Sequence, residues 1–374
     1  MRVAIDFSAG LSQPAGIGRY VRAVVQELRL RLGHDLVLWY GHPGNQRYGT
    51  PPPTVTTRAL PLSAANLTRL WHRARVPVPI DLWLGPVEVV HGPDFLVPPA
   101  RVPRVVTIHD LSFRLVPECG DPRLVAFLGQ NVPRMLKSVD AVITVSEAVR
   151  NDLLRLYDFD PDRVFAVPHG VSAPFAPTDQ ARLRAVLAVH GLREPYVIAV
   201  GTVEPRKRYP LLLDAVRALL PRFPDLRLVV VGSTGWLAGP IERQLREAEQ
   251  RGYLIRFRHV SDALLATLYG GAAAFVTASC YEGFNLPLLE AMACGTPTVA
   301  TDLPAHREVA GEAALFVPID DPDALAETLA VVLTDSSVRD RLRRAARARA
   351  QFFTWSRSAA QHLAVYRAVA RERP

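Results

Sequence analysis

Short apolar runs alternate along the chain with longer stretches whose apolar positions recur at helical spacing, which predicts strands and helices in turn. Residues 1–7 open on a strand pattern; Val21, Val24, Val25 and Leu28 then mark one helix face, and residues 34–40 a second strand. Residues 41–53 read as loop. Val89-Val90-His91-Gly92, Val105-Val106-Thr107-Ile108, residues 141–145 and residues 164–167 read as the further strands of the first half. Residues 196–201, 228–232, 272–278 and 298–301 read as strands of the second, with a shorter one ending near Arg256-Phe257-Arg258. Helices are predicted over 209–220, 263–269 and 288–294, and from Leu325, Leu329 and Leu333. Ser146, Ser261 and Asp321 stand as N-caps, and Pro210, Pro287 and Pro322 in first turns. Asp321-Pro322-Asp323 looks like a metal-binding acid pair, yet its place ahead of an apolar helix makes it a cap. The fold class is α/β.

Length changes this picture by doubling it: 374 residues favour two domains, and 49% hydrophobic with 21% charged residues excludes a disordered chain. A composition shift over 173–179 marks the linker, and 32 prolines punctuate the alternating elements. No apolar run reaches bilayer length and residues 1–7 lack a leader pattern, so a cytoplasmic, soluble or peripheral protein is expected. Cys119, Cys280 and Cys294 have no metal-ligand spacing and read as small core residues in a reducing compartment. The net charge of +8 suggests an anionic partner, but no basic stripe or module for nucleic acid accompanies it.

The candidate chemistry centres on Tyr281-Glu282-Gly283-Phe284-Asn285-Leu286-Pro287-Leu288-Leu289-Glu290. A helix that starts after a Gly-containing loop at a strand's carboxyl end offers unpaired amides and a positive dipole end, a phosphate site. Here the amides of Phe284, Asn285 and Leu286 would be the donors, with Glu282 ahead of the helix and Glu290 about one turn inside it. Both carboxylates then suit hydroxyls, and a nucleotide-sugar supplies hydroxyls and anion together; a solvated loop acid plus a dipole-favoured Glu is the plainer alternative. Arg206-Lys207-Arg208 puts three cations at the start of the 209–220 helix, where they repel one another and the dipole unless an anion sits among them. Gly16 and Gly18 would allow close backbone approach at a helix start, or simply a turn. His109-Asp110 ends an apolar run where α/β sheets bind ligands, and His91 does so less clearly. Residues 67–75 mix Trp71 with basic residues and fit either a helix with a buried Trp and a solvated face, or a membrane contact.

The stretch from Glu282 through Glu290-Ala291-Met292-Ala293-Cys294-Gly295-Thr296-Pro297 resembles the E-x7-E signature of retaining glycosyltransferases of family 4. Gly16-Ile17-Gly18-Arg19-Tyr20 resembles the first loop of its bacterial members, and Arg206 and Lys207 its Arg/Lys pair. His169 and Ser172 replace the Asn and Asp of its usual P-N-G-V-D turn. The resemblance spans nearly the whole chain, strongest over 196–302, and is nearest to bacterial mannosyltransferases of surface polysaccharide assembly. It implies the GT-B architecture, two doubly wound Rossmann-like domains facing a central cleft. The domains are then 1–172, acceptor-side, and 173–355, for the donor, with a helix over 356–374 packing back on the first. It implies donor binding by Gly18, Gly201, Arg206, Lys207, Val260, Gly283, Phe284, Asn285, Leu286 and Glu290. Gly16 and Arg19 fall on the acceptor side, and His109, Glu282 and Asp110 at the reacting sugar. The expected reaction is retaining transfer from a GDP- or UDP-linked sugar, mannose first, to a glycan or lipid-linked acceptor, without cofactor or metal. An epimerase of the same architecture and a non-catalytic nucleotide-sugar binder are the rivals.

Overall fold

The computed structural model describes residues 1–14, 16–41 and 48–371. Part of the expected 41–53 loop, Ala15 of the glycine loop and the end of the expected 356–374 helix lie outside the described residues. Contacts divide the chain into two units: Met1–Leu111, Ala126–Gly170 and Thr354–Pro374 in one, Ser112–Val125 and Val171–Phe353 in the other.

The first unit is a parallel sheet of seven strands, β1 Val3–Asp6, β2 Leu36–Gly41, β3 Thr56–Leu60, β4 Val89–Gly92, β5 Arg104–Ile108, β6 Ala141–Thr144 and β7 Val164–Ala166, in the order β3-β2-β1-β4-β5-β6-β7. Val3 pairs with Leu36 on one side and with Val89 on the other, so the strand order reverses direction at β1 and β4. Val3, Ala4, Leu36 and Val89 are fully buried because helices cover both faces of such a sheet. The edge strand β3 is half polar, Thr-Thr-Arg-Ala-Leu, and carries no apolar run for a sequence reading to find. The second unit repeats the plan with β8 Tyr196–Val200, β9 Arg227–Val231, β10 Leu254–Phe257, β11 Ala274–Thr277, β12 Thr298–Thr301 and β13 Ala314–Val317, ordered β10-β9-β8-β11-β12-β13. Its strand order reverses between β8 and β11, and ligands of doubly wound sheets bind beyond the carboxyl ends at such a point.

The caps fall where expected: Ser146 accepts from the Val149 amide, Ser261 from Leu264 and Asp321 from Ala324. The acid pair at 321–323 is thus a helix start. Trp71 is buried, its indole N–H donating to Val78 O at 2.9 Å, while Arg69, Arg73 and Arg75 are exposed. Among the described residues no helix is long and apolar enough to cross a membrane. One boundary needs correction. Residues 112–125, placed with 1–172 by sequence, cluster with the second unit, where Trp236 Nε1–H donates to Cys119 O at 2.8 Å. The last helix runs Trp355–Arg371 and belongs to the first unit, where Arg31 donates to Ser356 O and Oγ at 3.0 and 2.7 Å.

Candidate functional site

In the second unit the loop after β11 leads into the helix Leu286–Ala293, so Leu286, not Pro287, is its first residue. Asn285 caps it in the left-handed region, φ 74°, which Asn tolerates better than most side chains. Its Oδ1 accepts from the Leu288 amide at 3.3 Å and its Nδ2 donates to His306 Nε2 at 2.9 Å. His306 must then carry its proton on Nδ1, which donates to Thr301 O at 2.8 Å; burial lowers the pKa of this ring. Gly283 is buried, and the Phe284 ring packs at 5.8 Å from Phe353. The loop is therefore pinned by the sheet behind it.

Glu282 is almost fully buried. Its Oε1 accepts from Lys207 Nζ at 2.5 Å and Ser279 Oγ at 2.7 Å, and its Oε2 from Arg206 at 2.8 Å. Burial opposes its charge, but Lys207 and Arg206 outweigh burial and hold the carboxyl far below the ordinary range. Arg206 also donates to Glu204 Oε1 at 2.7 Å and to Tyr281 O at 3.0 Å, and burial raises the Glu204 pKa against the pull of Arg206 and Lys207. Arg208 pairs at 3.1 Å with Asp320. This corrects the inference from three adjacent cations: their repulsion is relieved by Glu282, Glu204 and Asp320, so no ligand is needed to explain them. Glu290 is buried in the helix, with the Tyr269 hydroxyl 3.4 Å from its Oε2. It does not stand open beside Glu282. Gly201 follows β8 and accepts from the Tyr209 hydroxyl at 2.6 Å, and half-buried Val260 directly precedes the Ser261 cap.

In the first unit His109 directly follows β5 and is almost fully buried, its Nε2 at 2.7 Å from Pro93 O. A carbonyl only accepts, so Nε2 bears the proton and Nδ1 of the neutral ring is an acceptor; burial lowers its pKa. Asp110 beside it is half-buried. Two acids escaped the sequence reading. Asp6 ends β1, and burial raises its pKa to about 6. Asp94 follows β4, accepts from Gln13 Nε2 at 3.1 Å, and is likewise pushed up by burial against the pull of His109. The signal was present, since each follows an apolar run as Asp110 does.

At Gly16 and Gly18 the geometry fits the turn, one of the two readings open from the sequence. Gly16 adopts φ 54° and a Cβ there would meet nothing, so it serves the turn. A Cβ on Gly18 would lie 2.1 Å from Gln13 O and 2.8 Å from Ala9 O. The close approach is to the chain's own loop. Arg22 fixes that loop through Gly10 O, Gln13 O and Pro14 O at 2.9, 2.7 and 2.9 Å, while Arg19 lies half-buried in the first turn of the helix Ile17–Leu32. Gly18→Ala is expected to cost about 1–3 kcal/mol in urea unfolding; a stability equal to that of the parent would refute this packing role. Among the described residues no three His, Cys, Asp or Glu side chains gather as a metal-ligand set.

The sequence pattern described as Glycosyltransferase Family 4 matches residues 14–173, and that of Glycosyl transferases group 1 matches 187–349. The O-antigen chain mannosyltransferase B of Escherichia coli is 32% identical over 282 residues, 75% of this chain and 74% of that protein. The chain belongs to glycosyltransferase family 4. The fold of this glycosyltransferase agrees with the GT-B architecture. Sucrose-phosphate synthase from Thermosynechococcus elongatus has a TM-score of 0.77 at 21% identity, over 98% of both chains. Anabaena HepE, in complex with UDP and glucose, has a TM-score of 0.73 at 14% identity, over 98% of this chain and all of its own.

Proposed function

We propose that this glycosyltransferase moves a sugar, mannose first, from a nucleotide-sugar to a hydroxyl of a glycan or lipid-linked saccharide, with the donor's anomeric configuration kept. The observation that carries this reading is Glu282 shared between Arg206 and Lys207, immediately ahead of the helix Leu286–Ala293. In this reading the diphosphate of a leaving nucleotide competes with Glu282 for these two half-buried cations, and the helix start adds to their field. The name of the Escherichia coli relative supports mannose, and the UDP in the HepE complex supports a nucleotide-linked donor. In this reading Glu290 holds the ribose hydroxyls, Glu282 lies by the sugar ring, His109 steadies the sugar, and the acceptor enters beside Arg19.

A double displacement needs a carboxylate with a lone pair to give to the anomeric carbon, and a second acid about 5–5.5 Å away. Glu282 already accepts three hydrogen bonds, two of them from cations, which makes it a poor nucleophile. Departure of the diphosphate toward an oxocarbenium-like state is the alternative, aided by donors that strengthen as its charge grows. The acceptor hydroxyl then enters from the leaving-group face and passes its proton to a phosphate oxygen. GDP-mannose is expected to raise the melting temperature more than other nucleotide-sugars, and the product of an α-linked donor to show an α anomeric proton by NMR. A β product, or a trapped glycosyl ester on Glu282 or Asp110, overturns this mechanism.

Arg206 and Lys207 supply the positive charge that a leaving diphosphate requires, so turnover is expected to persist in EDTA. Loss of all turnover in EDTA, restored by magnesium or manganese, would contradict this.

A further inference from the structure

Within the first unit, a run of buried hydrogen bonds begins and ends on the last helix. Tyr366 Oη lies 2.8 Å from His91 Nδ1, His91 Nε2 2.8 Å from Thr107 Oγ1, Thr107 Oγ1 2.9 Å from Tyr20 Oη, Tyr20 Oη 2.8 Å from His362 Nε2, and His362 Nδ1 2.8 Å from Ser358 O. The donor and acceptor inventory fixes every proton in it. The Ser358 carbonyl only accepts, so His362 donates from Nδ1. Burial keeps that ring neutral, so its Nε2 accepts and the Tyr20 hydroxyl donates. Tyr20 then accepts from Thr107, whose hydroxyl proton is thereby used, so Thr107 accepts from His91 Nε2–H. Neutral His91 is left with a bare Nδ1, which accepts from Tyr366. All five bonds point one way.

Tyr20 is held at its hydroxyl from both sides, and its ring stands edge-on to His109, with centroids 5.0 Å apart and planes at 81°. Phe95 and His169 close on the same imidazole at 5.7 and 5.9 Å, and Trp355, first residue of the last helix, lies 5.5 Å from His169 and 6.3 Å from Tyr20. Phe95 is itself held in the left-handed region, φ 58°, by its amide bond to Thr107 O at 3.0 Å, a backbone conformation that costs energy for an aromatic residue. We propose that Tyr20 is a positioning residue for His109, and that the last helix acts on the reaction by fixing Tyr20 through this one-way chain. The proposal rests on the assignment of His109 to the donor sugar.

The test combines ring-nitrogen NMR of histidine-labelled protein with GDP-mannose kinetics. At neutral pH, His362 is expected as the Nδ1–H form, and His91 and His109 as Nε2–H forms. Tyr20→Phe keeps the ring but cuts the chain; it is expected to shift the His109 nitrogen signals and to lower kcat about 10-fold or more, with donor KM within about 2-fold. His362→Gln, which offers an acceptor to Tyr20 and a donor to Ser358, is expected to retain kcat, and His362→Leu to lose it as Tyr20→Phe does. Parental kcat in Tyr20→Phe, or His362 found as Nε2–H, overturns the proposal. Parental kcat in His109→Ala overturns the His109 assignment and the proposal with it, whereas a slow His109→Ala beside a fast Tyr20→Phe overturns the proposal alone.

Discussion

Glu282→Gln is expected to lower kcat by about 10²–10³-fold while tightening the binding of free GDP by about 10-fold. The opposite signs follow from the bonding around the two cations. Glu282 and Glu204 balance Arg206 and Lys207, two charges against two, with side chains at most 14% exposed. An amide at 282 removes one negative charge, so the incoming diphosphate meets the cations with Glu204 on Arg206 as the remaining carboxylate competitor. The same change removes the carboxylate that places them and leaves a buried positive charge uncompensated, which costs about 3–5 kcal/mol of stability. Calorimetry with GDP, steady-state kinetics and urea unfolding read the three effects. Weaker GDP binding together with parental kcat would show that Glu282 is no competitor for the diphosphate.

The second large effect is on stability against pH. His362 titrates at about 4 in the folded protein because burial disfavours its charge, against 6.5 for an unhindered ring. Above pH 6.5 the ring is neutral in both states and contributes no difference. As pH falls from 6.5 to 4 the unfolded chain takes a proton that the folded one refuses, so stability is lost through that window, by about 3 kcal/mol. Asp6, raised to about 6 by burial, acts in the opposite sense, since the folded state takes up its proton first as pH falls. The informative quantity is therefore the difference between the parent and His362→Gln, in which Asp6 cancels. The parent should lose about 3 kcal/mol more than the variant between pH 6.5 and 4, measured by urea unfolding. Parallel curves would mean that His362 titrates normally in the folded state.

What the sequence discloses and what it hides divide along physical lines. Strands such as residues 141–145 and caps such as Ser261 are local, so a few adjacent residues suffice to read them. What residues 206–208 meet is hidden from a sequence reading, because Glu282, 76 residues from Arg206, pairs with it, and no spacing rule announces that meeting. At Gly18 the two readings stayed open for the same reason, since what a missing Cβ makes room for is known only once Gln13 O is seen beside it. Asp6 and Asp94 were within reach, being acids at strand ends; their interest comes from burial, which one position at a time does not reveal.

The place of the last helix bears on how the chain is made. Synthesis runs from residue 1 onward at roughly 5–20 residues per second, so about 10–40 s pass between the emergence of β7 and that of Tyr366. Throughout that interval the first sheet is complete in strands yet lacks the partners of Tyr20 and His91 that Tyr366 and His362 provide. Of the two units, the one whose strands emerge first is thus the later to be closed, and a ribosome stalled or a chain cut before residue 355 leaves it with Tyr20, Thr107 and His91 unsealed.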